Sequence, residues 1–189
     1  VDDLEGSAFL NNFIERLIGS GVNTFIIHAR KAISGLDTKR NRSIPPLIYD
    51  EVYKIKQNYP DTEIILNGGI SSYKEINNHL TNVDGVMLGR KVYSDPSFLL
   101  SVDNNIYNEQ NLFSIDQALM SFMEYILKLE NKKDANRAIG HLMQFIKSLS
   151  IEKRKRKILL DELNNKNVEL TNVFENFTQD YQKNLSLNL

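Results

Sequence analysis

Glu63-Ile64-Ile65-Leu66-Asn67-Gly68-Gly69 is an apolar, β-branched run that ends in a double glycine. Such a run reads as a short buried strand entering a tight turn. Upstream, Thr24-Phe25-Ile26-Ile27 has the same character, is read as a strand buried on both faces, and runs into His28-Ala29-Arg30. Downstream, Asp84-Gly85-Val86-Met87-Leu88 runs into Gly89-Arg90. Between these strands, residues 50–58 carry Val52 and Ile55 in a polar remainder, and residues 72–80 turn Ile76 and Leu80 inward. Each spacing predicts a short amphipathic helix. Residues 5–19 place Phe9, Phe13, Ile14, Leu17 and Ile18 near helical spacing, with Gly19 and Gly21 ending the segment. Strands separated by short helices pair in parallel through right-handed crossovers.

The second half changes character. After Pro96 no proline follows, and Gly140 is the only further punctuating glycine. Leu112, Ile115, Leu119, Phe122, Met123 and Ile126 fall at helical spacing. A second helix holds Ala138, Leu142, Phe145 and Ile146, a third Ile158, Leu159 and Leu163, and Val168 to Phe177 is a candidate fourth. The polar stretch near 102–111 is the expected domain link, and the Asn-rich tail after Asn164 reads as partly loose.

Composition excludes several chemistries. The 189 residues include no cysteine, which removes a disulfide framework, Cys-ligated zinc, an iron–sulfur cluster and a thiol nucleophile from this chain. With 23 Lys plus Arg against 24 Asp plus Glu, any contact with a polyanion must come from local patches. The apolar runs are too short to span a membrane, and no carboxylate or histidine spacing matches a metal motif. His79 and His141 are read as structural. The chain opens with Val1-Asp2-Asp3 and not with Met, so further sequence is expected upstream.

Ligands of parallel α/β proteins bind beyond the carboxyl ends of the strands. There the three strands present His28, then Asn67-Gly68-Gly69, then Gly89-Arg90. Glycines leave backbone N–H groups accessible to phosphate oxygens, and Arg90 adds a bidentate cation. Asn67 offers a donor and an acceptor to a ring edge, and His28 is a further donor. Each piece has a bland alternative: a plain turn, a structural histidine, a surface arginine. Three such ends in register point to a phosphate-bearing ligand with a planar ring. Two basic segments stand apart. Residues 31–46 form a long loop with Lys31, Lys39, Arg40 and Arg42 against Asp37, readable as a solvated loop or as a contact to an RNA backbone. Lys153-Arg154-Lys155-Arg156-Lys157 repel one another unless a polyanion is present.

These motifs carry a resemblance. Phe25-Ile26-Ile27-His28-Ala29-Arg30-Lys31-Ala32, Asn41-Arg42-Ser43-Ile44-Pro45-Pro46-Leu47, Asn67-Gly68-Gly69-Ile70 and Asp84-Gly85-Val86-Met87-Leu88-Gly89-Arg90-Lys91-Val92-Tyr93 with Asp95-Pro96 occur in order. Together they resemble the tRNA-dihydrouridine synthases of the A-type subfamily, over about Val1 to Leu99. The resemblance implies the C-terminal part of a flavin-binding TIM (β/α)8 barrel at residues 1–105, followed by an all-α tRNA-binding domain at 110–189. It implies FMN held by His28, Asn67, Gly68, Gly69, Gly89 and Arg90, and tRNA contacted by Lys39, Arg42 and Arg156. The implied reaction reduces the C5–C6 bond of D-loop uridines. NADPH is the reductant, hydride passes from flavin N5 to C6, and a cysteine protonates C5. That cysteine is expected upstream, so no catalytic residue is assigned here and the chain alone is expected to be inactive and prone to aggregate. A cytoplasmic protein, monomeric when complete, is expected, with an organelle as the other compartment. The chain departs from the family where Gln144-Phe145 stand in place of an Arg-His pair. Two other readings are a non-catalytic RNA-binding remnant and a different FMN or phosphate-ligand barrel oxidoreductase.

Overall fold

The computed structural model describes residues 3–110, 114–149, 153–165 and 169–186. The chain folds as two compact units that divide between Gly89 and Arg90.

The first unit is an α/β layer. Helix α1 (Asp3–Gly19) precedes β1 (Thr24–His28), and α2 (Thr38–Asn41) and α3 (Tyr49–Asn58) precede β2 (Glu63–Asn67). Helix α4 (Tyr73–Leu80) then leads to β3 (Gly85–Met87). The sheet order is β1-β2-β3 and both pairs are parallel. One face carries Phe25, Ile27, Ile64, Leu66 and Val86. Helix α3 packs on β2 and α4 on β3, and Val52, Ile55, Ile64, Leu66 and Ile76 are buried. The other face carries Ile26, Ile65 and Met87, and there Ile26 is 57% and Met87 44% exposed. The expectation that β1 is buried on both faces is therefore corrected. Its alternating exposure shows one covered face and one open face.

At the amino end of the sheet, Lys56 Nζ lies 2.8 Å from Asp84 Oδ2 and also donates to the Pro60 and Thr62 carbonyls. The same carboxylate accepts the Ile64 N–H at 2.8 Å. Burial alone would raise the Asp84 pKa, but the Ile64 N–H and the Lys56 ammonium outweigh it and hold the carboxyl below its ordinary value. These bonds fasten the start of β2 to β3, opposite the edge that the motifs occupy.

Among its described residues the second unit is helical. Helix α5 (Arg90–Ser94), a 3-10 turn (Pro96–Ser101) and a π turn (Asp103–Tyr107) precede α6 (Ile115–Leu127), α7 (Lys132–Ser148), α8 (Lys153–Asn164) and α9 (Leu170–Ser186). Ser114 and Gln117 cap α6 reciprocally. Leu119, Met123, Ile126, Leu142, Phe145, Ile146, Leu159, Leu163, Val173 and Phe174 form one core. Two local expectations change. Ile158 is exposed, because α8 turns Leu159 and Leu163 inward. The candidate fourth helix is present as α9, anchored by buried Val173 and Phe174. The division falls before α5, because Gln144 on α7 donates to the Ser94 carbonyl at 3.3 Å and Tyr93 meets His141 edge-on at 6.0 Å. Leu112 and Val168 lie outside the described residues.

His79, on α4, is buried, with Nδ1 2.6 Å from Tyr53 Oη and its ring 4.5 Å from that of Tyr49. Burial holds its pKa below the ordinary 6.5, and the nearby Glu75 opposes this only in part. The unfolded chain therefore binds this proton more readily than the folded one, so stability falls as pH drops through about 6.5. In melting curves between about pH 7.5 and 5, His79→Leu should flatten that part of the acid slope. An unchanged slope would show that other groups set it. Leu142, fully buried in the second unit, should cost about 2–5 kcal/mol on replacement by Ala in denaturant unfolding.

Candidate functional site

Because β1, β2 and β3 run parallel, their carboxyl ends share one edge. The register sets His28 beside Asn67 and Asn67 beside Met87, with Gly89 two residues further along the chain. The Asn67 carbonyl accepts the Ala29 N–H at 2.8 Å and lies 3.1 Å from His28 Nδ1. A carbonyl only accepts, so Nδ1 carries the proton and Nε2 remains as the second ring nitrogen. The His28 side chain is exposed and that of Asn67 half-buried.

Gly68 and Gly69 adopt φ values of +140° and +71°. A Cβ on Gly68 would stand 2.8 Å from Leu47 Cδ2 and 3.3 Å from His28 Nδ1. One on Gly69 would collide with Leu47 Cδ1. Turn geometry and the Leu47 side chain thus account for glycine at both positions. Gly89 differs, because a Cβ there meets nothing within 4 Å.

The residues under this turn come from the far end of the basic loop. The Ile48 N–H donates to the Ala29 carbonyl at 2.8 Å, and Arg30 Nη1 donates to the Pro45 carbonyl. Tyr49 Oη donates to the Gly68 carbonyl at 2.9 Å. A cavity of about 360 Å³ opens beside the end of β1, with Leu10, Ile27, His28 and Val52 among its walls.

One expected element of the site is already engaged. The start of α4 follows the glycine turn, but Glu75 Oε2 accepts both the N–H and the hydroxyl of Ser71 and of Ser72, at 2.8–3.1 Å. The Ser71 N–H first, then the other donors, hold the Glu75 carboxyl below its ordinary range. An anion at this edge would meet the turn, since the first turn of α4 has its own carboxylate. The Ser72-x-x-Glu75 capping box carries that signal in the sequence, and the motif reading missed it.

The remaining expected site residues are placed as follows. Arg90, exposed, opens α5 in the second unit. Lys39 and Arg42 are exposed in the first unit, on and just after α2, a helix that the loop reading did not foresee. Asp37 caps it by accepting the Arg40 N–H at 2.8 Å, and Arg42 Nε donates to the Thr38 carbonyl at 3.0 Å. Arg156 is half-buried on α8 and donates to the Lys147 carbonyl at 3.3 Å. Lys153, Arg154 and Lys157 are exposed around it. Among the described residues no cluster of His, Asp and Glu has the geometry of a metal site, and no helix is long and apolar enough to cross a membrane.

The donors left open at this edge suit an anionic oxygen. Gly69 is exposed, and its N–H has no acceptor among the described residues. Gly89 is open, and His28 retains a ring nitrogen at the same edge. Gly69→Ala should destabilise by more than ~1 kcal/mol in denaturant unfolding, from strain and the Leu47 collision. Gly89→Ala should stay within ~0.5 kcal/mol of the wild type. Equal losses at the two positions would contradict this division.

Comparison with known proteins matches residues 1–186 to the family model for dihydrouridine synthase (Dus). A tRNA-dihydrouridine(20/20a) synthase of Haemophilus ducreyi is 40% identical over 146 residues, which are 76% of this chain and 45% of the relative. That of Salmonella typhimurium is 39% identical over 151 residues, 79% of this chain and 45% of the relative. That of Shewanella oneidensis is 47% identical over 104 residues, 54% of this chain and 31% of the relative. The chain thus spans about half the length of the curated relatives that it matches. With the family model matched across residues 1–186, the chain belongs to the dihydrouridine synthase family.

Proposed function

We propose that the protein carrying this chain reduces uridine to 5,6-dihydrouridine in the D-loop of tRNA, with FMN as cofactor and NADPH as reductant. The observation that carries this reading is the family match over residues 1–186. On this reading the three strands belong to a TIM (β/α)8 barrel, and the open face with Ile26, Ile65 and Met87 lines its interior. That assignment accounts for large apolar side chains left exposed on one face of a parallel sheet, an arrangement that such sheets avoid.

When bound, FMN supplies hydride transfer between the nicotinamide and the uridine base. The residues of this chain have binding roles. Backbone N–H groups of exposed Gly69 and Gly89 take the phosphate oxygens, buried Gly68 shapes the turn that presents them, and Arg90 adds the fixed charge. Asn67 and His28, adjacent in register, meet the polar edge of the flavin. Because Nδ1 of His28 donates to the Asn67 carbonyl, the imidazole plane is set by the sheet. The catalytic acid is a cysteine in the family, and this chain has none.

The helical unit is assigned to tRNA. Helix α8 opens on Lys153-Arg154-Lys155-Arg156-Lys157 with no acid in its first turn. Cations at a helix N-terminus oppose the macrodipole, each by about 0.3–1 kcal/mol. An RNA backbone against this turn would reverse that cost. Lys39 and Arg42 are assigned the same role in the first unit.

Mass spectrometry of tRNA nucleosides tests the proposal. Cells deleted for the complete gene should lose D-loop dihydrouridine and regain it with the wild-type gene. Unchanged dihydrouridine after deletion would favour an RNA-binding remnant. Arg90→Ala should fail to restore the modification and lose FMN on gel filtration. Lys39→Ala with Arg42→Ala should retain flavin, weaken tRNA binding and lower the salt slope of log K by roughly 2. If flavin is lost with these substitutions, the basic loop has been assigned to the wrong ligand.

A further inference from the structure

The carbonyl of Gly68 and the N–H of Gly69 belong to one peptide group. No cis peptide occurs among the described residues, so this N–H points opposite to its carbonyl. Tyr49 Oη donates to that carbonyl from 2.9 Å. The hydroxyl therefore fixes which way the Gly69 N–H faces, in a turn whose glycine φ values would allow the peptide to flip. Tyr49 is itself held. Its ring lies 4.5 Å from that of buried His79, at 57°, and the preceding residue, Ile48, bonds the end of β1. Gly68 is buried and the hydroxyl satisfies its carbonyl, whereas Gly69 is exposed and its N–H, on the opposite side of the same peptide, has no acceptor among the described residues.

We infer that Tyr49 is a positioning residue for the ligand phosphate: its hydroxyl bond to the Gly68 carbonyl presents the Gly69 N–H to a phosphate oxygen. This rests on the flavin reading above and names a residue outside the glycine, histidine and arginine motifs. Tyr49 does not touch the ligand. It acts through the peptide that it holds.

The test compares FMN with riboflavin, which has the same ring and ribityl chain and no phosphate. Flavin is removed from the complete protein, and both ligands are titrated by fluorescence quenching into wild type and Tyr49→Phe. The variant keeps the ring against His79 and removes only the hydroxyl. The wild type should prefer FMN, and Tyr49→Phe should lose roughly tenfold in FMN affinity with riboflavin affinity unchanged. Equal losses for both ligands, or no loss for either, would overturn the positioning role while leaving the flavin reading in place. A wild type that binds neither ligand would overturn the flavin reading and this inference together. Should Tyr49→Phe fold poorly, the Gly69 amide in wild type decides. Protection from exchange by FMN and not by riboflavin supports the inference, and no protection by FMN overturns it.

Discussion

Parallel pairing of β1 with β2 and of β2 with β3 is the constraint on which the first unit rests. It brings the ends of three strands to one edge, so residues far apart in sequence meet there. It also demands helical crossovers, and α3 and α4 cover one face in consequence. The pairing is fastened at the opposite end by Lys56, Asp84 and the Ile64 N–H. An ion pair and backbone bonds fasten the amino edge, and the carboxyl edge combines its own bonds with exposed donors.

Much of this was legible in the sequence. β-branched runs interrupted by glycine and by amphipathic spacing gave three strands, two crossover helices and the converging ends. The open face was not legible. An apolar strand reads the same whether its second face is covered by this chain or left open, so Ile26 and Met87 gave no warning. Nor was Tyr49. Its bond to Gly68 spans 19 residues and follows no periodicity, and a tyrosine opening an amphipathic helix looks like packing. Two signals were present and unread: Asp37 as the cap of α2, and Ser72 with Glu75 as a capping box.

The structure also changes why the glycines matter. Exposure to a ligand was the sequence argument for Gly68 and Gly69. Positive φ and the Leu47 side chain explain their identity without a ligand. What they leave over is a Gly69 N–H with no acceptor among the described residues, on a peptide whose carbonyl the Tyr49 hydroxyl holds. Gly89 is the reverse case, because no neighbour requires it. The phosphate assignment therefore rests on the orientation of peptide groups more than on a glycine motif.

Charge follows the same logic of contacts absent from the fold. The chain is near neutral, yet five consecutive cations open α8, and exposed Lys39 and Arg42 lie on and just after α2. Lys39, Arg42, Lys153, Arg154 and Lys157 are exposed, and the run that opens α8 opposes its helix dipole. The central claim concerns the carboxyl edge of the sheet, and amide resonances report on it directly. In isotope-labelled protein stripped of flavin, FMN should shift the Gly69 and Gly89 amides strongly and riboflavin should leave them nearly in place. FMN binding that leaves both amides unmoved would contradict a phosphate cradle at this edge.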